Sequence, residues 1–168
     1  MNDVERIIRY FNLKPLPDEG GYYTEIYRSK EKIGEDGLPD RYKGYRNYYT
    51  SIVYLITEKN FSHLHRIKSD EIFHFYMGKP VEIINFLGNG KCRKVTLGND
   101  IFSGQRLQYM VPKNTWQAAY LKQGRGYALL GTTVSPGFEF KDYQNAKKFK
   151  KELTSQYPEL METIKRII

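Results

Sequence analysis

Cysteine is almost missing from this chain: among 168 residues there is one, Cys92. A single thiol excludes an internal disulfide and suits a reducing compartment. Histidine is scarce, with three residues, and tryptophan scarcer, with one. No apolar run approaches the roughly 20 residues that a membrane-crossing helix needs, so no membrane partner is expected. The opening Met-Asn-Asp-Val-Glu-Arg is charged and no apolar leader segment follows it, so the expectation is a soluble, cytoplasmic protein. Acidic residues are outnumbered, 19 against 27 basic ones, which gives a net charge of +8. That surplus does not imply a nucleic-acid partner. The lysines are dispersed except between Lys141 and Lys151, where they read as a solvated helix face, and no nucleic-acid-binding motif accompanies them. The charge serves solubility, with some attraction for anionic ligands.

Aromatic side chains are abundant instead: 15 Tyr and 9 Phe, a bias that favours strands and lined cavities. The length suits one domain over residues 1–168, large enough to bury a core. Apolar residues at Val4, Ile7, Ile8 and Phe11 predict a helix over 2–11, capped by Asn2 or Asp3. Leu16 to Gly21 reads as a turn, and Tyr22 to Arg28 as a strand that alternates between two faces. Residues 29–47 are polar and carry Gly34, Gly37, Pro39 and Gly44, which predicts a long surface loop serving as a pocket lid or dimer arm. Strands then follow at 48–57, 61–66, 71–77, 81–87, 92–97, 107–112, 116–122 and 126–134, punctuated by Gly, Pro and Asn. Many short strands without intervening helices indicate an all-β sandwich or barrel, here over about 20–137. Beyond Ser135-Pro-Gly137 the pattern turns helical, over 142–155 and 158–167.

All three histidines fall between Phe61 and Gly78, together with Asp70 and Glu71. Imidazole and carboxylate together offer either metal ligands or an acid and a base. Alternation on a strand points His63 and His65 the same way, and sets Glu71, Phe73 and Phe75 on one face with His74 on the other. His63, His65 and Glu71 are therefore expected to converge, with His74 facing another layer unless a bulge re-aims it. Trp116 and Gln117 must point to opposite faces, and Gln117 inside would supply a neutral hydrogen-bonding group. Tyr22, Tyr23 and Tyr27 offer stacking faces or hydroxyls.

His63-x-His65, Glu71 and Gly78 resemble the first motif of the cupins, the double-sheet jelly rolls. Pro112-Lys-Asn-Thr-Trp-Gln117 resembles their second motif, Pro-x-Gly-x-x-His. Asn114 stands there in place of the turn glycine, a substitution that asparagine allows because it can adopt the left-handed conformation. Gln117 stands in place of the fourth metal ligand. Five residues separate His65 from Glu71, where the usual motif has three or four. These departures resemble the cupin-like branch of unknown function designated DUF985. The stretches that carry the resemblance are Glu19 to Ser29, Leu64 to His74, Val111 to Ala119 and Gly131 to Phe140. It implies a double-stranded β-helix barrel, to which the terminal helices read above are added, usually a homodimer, with a polar pocket in which His65, Glu71 and His74 match the motif and His63 is optional.

Three functions compete. The first is binding of a small polar ligand, sugar-like or nucleotide-linked, with His65 and Glu71 as acid and base in epimerase- or isomerase-type chemistry, and His63, His74, Gln117, Tyr22 and Trp116 as ligand-binding residues. The second is a metal-dependent dioxygenase or isomerase in which His63, His65, Glu71 and Gln117 hold a divalent transition metal, Fe, Mn, Ni or Zn. The third is a non-catalytic binding or storage module.

Overall fold

The structure is a computed structural model and describes residues 2–168. The chain runs α1 (Asp3–Phe11), β1 (Lys14–Pro15), β2 (Tyr22–Arg28), β3 (Lys32–Ile33), β4 (Arg46–Asn47), β5 (Thr50–Thr57), β6 (Ser62–Ile67) and β7 (Asp70–Gly78). It continues through β8 (Val81–Gly88), β9 (Lys91–Leu97), β10 (Gln108–Val111), β11 (Trp116–Leu121), β12 (Tyr127–Ser135), β13 (Tyr143–Asn145), α2 (Lys150–Gln156) and α3 (Met161–Ile167). Two antiparallel sheets carry the fold, one of six strands in the order β1-β2-β5-β12-β7-β10 and one of five in the order β13-β6-β11-β8-β9.

The expected all-β jelly roll is what forms, and alternation along the strands explains why. Tyr54, Ile56, Phe73, Phe75 and Leu130 from the first sheet meet Val81, Ile83, Val95, Leu97 and Leu121 from the second, closing one apolar core between the layers. The outer face of the second sheet is apolar too: Leu64, Ile84, Phe86 and Trp116 are covered by Ala146, Leu153, Tyr157, Ile164 and Ile167 of the C-terminal segment. On the outside of the first sheet, α1 lays Val4, Ile7, Ile8 and Phe11 over Val53, Leu55 and Leu129. Asn2 closes the start of α1 with a capping box, its Oδ1 accepting from the Glu5 backbone N–H at 2.9 Å. No helix among the described residues is long and apolar enough to cross a membrane.

Two regions differ from the sequence reading. Residues 29–47 are not a free loop. They contain the short β3–β4 pair, and Arg46 is fully buried, its Nε and Nη2 each 2.6 Å from a carboxylate oxygen of Asp142. The predicted helix over 142–155 begins only at Lys150, because Tyr143–Asn145 form strand β13 along the edge of β6. Local periodicity favoured helix there, but the open backbone edge of β6 supplied partners.

Candidate active site

The site lies at one end of the barrel, and two β-bulges shape it. On β6, Ala119 pairs with Ser62 and Gln117 with His65, so three steps on β6 match two on β11. The extra residue turns Ser62 and His65 to the same inner face, while Leu64 packs outward. On β2, Glu25 pairs with Ile52 and Tyr27 with Ser51, which leaves Ile26 as the extra residue and lets both Glu25 and Arg28 line the cavity.

His65 is the centre. It is 1% exposed, and its ring stacks on Tyr143 of β13 at 5.3 Å between centroids and 23° between planes. Its Nδ1 lies 2.7 Å from the His63 carbonyl oxygen. A carbonyl can only accept, so Nδ1 carries the proton. Burial lowers the pKa of His65 and favours the neutral ring. A neutral ring protonated at Nδ1 has a bare Nε2, which lies 3.8 Å from Glu19 Oε2, too far for a hydrogen bond. That nitrogen's lone pair is free.

Two carboxyl groups stand beside it. Glu71 faces inward from β7, as alternation required, and its Oε2 accepts from Gln117 Nε2 at 2.7 Å. Burial, with the neighbouring Glu19 charge, raises Glu71 to about 7. Glu19 comes from the turn before β2 and is likewise pushed up to about 7 by burial, with Ser62 Oγ donating to it at 3.1 Å. Gly20 and Gly21 carry φ of +92° and +73°, a conformation that a side chain would strain. A Cβ at Gly20 would also collide with the Phe61 carbonyl and the His63 ring. These glycines let the turn lie flat on β6, and so deliver Glu19 inside. Sequence reading saw only a turn here, although Glu19 opens the first of the stretches that resemble the family.

The cavity holds about 270 Å³. Glu19, His65, Glu71 and Thr132 form its polar end, Leu16, Ile52, Ile67 and Val134 its walls, and Tyr23, Glu25, Arg28, Thr50, Phe138 and Phe140 complete its lining. Behind Glu71, Gln117 Oε1 and Asn85 Oδ1 are buried without a partner.

Several expected residues are elsewhere. His63 does not join His65, because the bulge breaks their parity; its Nδ1 lies 2.8 Å from the Glu19 carbonyl and its ring packs on Phe61. His74 faces outward as its parity indicated, between Thr133 Oγ1 at 3.1 Å and Gln108 Nε2 at 3.0 Å. Trp116 packs on the outer face against Phe149, with the Arg66 guanidinium 4.4 Å from its ring centroid. Tyr22 packs with the α1 cluster, and Tyr23 takes the cavity position instead. Asn114 does adopt the left-handed conformation, φ 60°.

The metal set drawn from the sequence is therefore not assembled. Among the described residues no three His, Cys, Asp or Glu side chains come together as a metal site. Of the four expected ligands, His63 turns away to the Glu19 carbonyl, and Glu71 is taken up by the Gln117 amide N–H. The side chains present do not fit a cupin metal.

An antiparallel double-sheet jelly roll, its barrel open at one end over a histidine and two carboxyls, defines a cupin-type protein. The chain belongs to the family described as Cupin superfamily (DUF985), which it matches over residues 5–146. It is similar to a hypothetical protein from Leishmania major, at 32% identity and a TM-score of 0.84, covering 99% of this chain and 98% of that one. It is also similar to protein SO0799 from Shewanella oneidensis, at 29% identity and a TM-score of 0.85, covering 99% and 98%. The uncharacterized protein YML079W of Saccharomyces cerevisiae is 27% identical over 134 residues, 74% of this chain and 66% of the yeast protein. Oxalate decarboxylase from Bacillus subtilis, at 12% identity and a TM-score of 0.55 over 94% of this chain and 38% of that one, shares the fold alone.

Proposed function

We propose that this protein binds a small metabolite in the barrel and moves a proton on it, in the manner of an isomerase or epimerase. The observation that carries this reading is the tautomer of His65, locked at Nδ1 by the His63 carbonyl at 2.7 Å. Its free Nε2 is an unprotonated base near neutral pH, and Glu71, with a pKa of about 7, is a carboxyl able to give or take a proton in the same range. One group with each function, facing one cavity, suits removal of a proton from carbon and its return at the same or a neighbouring atom. The size of the cavity suits a single ring, so a nucleotide attached to it would project past Phe140. The reading is tested by a thermal-shift screen of sugars, nucleotides and other metabolites, followed by incubation of each hit in D₂O. Deuterium entering carbon in the native protein and not in His65→Ala is the expected result. A ligand bound without exchange indicates a binding or storage module.

A homodimer is the second part of the proposal. The outer face of the six-stranded sheet, beyond the reach of α1, exposes Ile72, Tyr76 and Met110. An exposed apolar face of this kind suits burial against the same face of a second copy across a two-fold axis. Light scattering at micromolar concentration is expected to give twice the chain mass, and a monomer would refute it.

A further inference from the structure

We propose that the cavity selects a compact, one-ring ligand carrying a protonated amine, and turns away carboxylates and phosphates. This rests on the binding reading above and names the charge of its ligand. Three carboxyl side chains line the space, Glu19, Glu25 and Glu71, and among the described residues Arg28 is the lysine or arginine that lines it with them. That guanidinium already sits between two carboxylates. Its Nε and Nη2 donate to Glu25 at 3.1 and 2.8 Å, and its Nη1 donates to Glu139 at 2.9 Å, the Phe138 carbonyl at 3.1 Å and Asn47 at 3.2 Å. An anionic ligand that approached it would do so against the charges of the Glu25 and Glu139 carboxylates beside it.

His65 offers no alternative, because burial keeps it neutral and its one N–H is spent on His63. An ammonium group meets the opposite conditions. Glu19 and Glu71 accept it, His65 Nε2 adds a lone pair, and the rings of Tyr23, Phe138 and Phe140 line the same space. The chain's net charge of +8 acts only on approach. Inside the cavity the nearest charges decide.

The other groups that face the two carboxyls are Ser62, Tyr54 and Tyr143 around Glu19, and Gln117 and Thr132 around Glu71; none brings a positive charge. With both carboxyls near 7, an amine binds against their protons. Its affinity should therefore rise with pH while the amine itself stays charged.

The test is isothermal titration of the full chain with benzylamine, benzyl alcohol and benzoate at matched ionic strength, at pH 6 and pH 8. Benzylamine is expected to bind at least about tenfold more tightly than benzoate, and about tenfold more tightly at pH 8 than at pH 6. Glu19→Gln and Glu71→Gln should each weaken benzylamine more than benzyl alcohol. Glu25→Gln on the cavity wall serves if either buried variant fails to fold. Benzoate binding as tightly as benzylamine, benzylamine weakening as pH rises, or no saturable benzylamine binding by about 10 mM overturns the proposal. Each of these outcomes leaves proton transfer by His65 standing, because deuterium exchange reads that separately on whatever ligand binds.

Discussion

Replacing Glu71 by glutamine should make the protein more stable in mild alkali and leave it unchanged in acid. The folded state holds the Glu71 carboxyl in a buried site beside Glu19, where its pKa rises from 4.5 to about 7. Unfolded, the same group regains its ordinary value, so between these pH values the folded chain binds more protons. Stability then falls as pH rises. Below about 4.5 both states are protonated and the full stability is present; above about 7 the folded state must carry a buried charge. The difference of 2.5 pH units corresponds to about 3 kcal/mol. Glutamine has nearly the same shape and keeps an oxygen that can accept from Gln117 Nε2. The variant should therefore exceed the native protein by about 3 kcal/mol at pH 8, or roughly 6–12 °C in melting temperature for a chain of this size. Part of the Glu71 shift comes from Glu19, so neutralising one carboxyl also relieves the other. Urea denaturation of both proteins from pH 4 to pH 8 measures the gap. Stability curves that run parallel over this range would refute the buried-carboxyl reading of the site.

Gly20→Ala should cost about 2 kcal/mol or more, since it combines left-handed strain with a collision against the Phe61 carbonyl, and because Gly20 adjoins Glu19 it should also weaken ligand binding; thermal melting and titration check both. Arg46→Met leaves the buried Asp142 carboxylate with only the Lys68 ammonium at 3.7 Å and should cost about 3 kcal/mol in urea denaturation, while Arg46→Met with Asp142→Leu should recover most of the loss. His63→Ala should leave the affinity for any ligand found by screening within about threefold, because only the His63 backbone oxygen holds His65, whereas His65→Ala should abolish deuterium exchange. Equal losses from the two alanine variants would restore His63 to the site.

Wherever the pleat ran undisturbed, the sequence was a good guide to direction. Glu71 and Phe73 point inward, His74 outward, and Trp116 and Gln117 part to opposite faces, all from the period of two along a strand. Asn114 shows the same legibility in a turn, where its φ of 60° is one that asparagine tolerates. The residues that escaped are those brought in from far along the chain. Glu19 meets Ser62 across 43 residues, and Tyr143 reaches His65 because a C-terminal segment chose a sheet edge over a helix. Nothing in the local pattern of either segment encodes those contacts.

The two bulges bear most directly on function. In an unbroken β6, Ser62 and His65 would face opposite sides, and Glu19 would lose its hydroxyl partner or the cavity its histidine. In an unbroken β2, Glu25 and Arg28 would likewise part, and the cavity would gain an exposed carboxylate or lose its arginine. Each inserted residue shifts a strand by one position, the smallest change that can bring side chains three apart onto the same face. The side-chain sequence around an extra residue still alternates, so the shift leaves almost no trace in the pattern of apolar and polar positions. Reading His63 with His65 was sound for a regular strand and failed at the point where the strand is irregular. The candidate site is assembled where the regular rule is broken, and that break leaves a single neutral histidine between two carboxyls where a pair of histidines was expected.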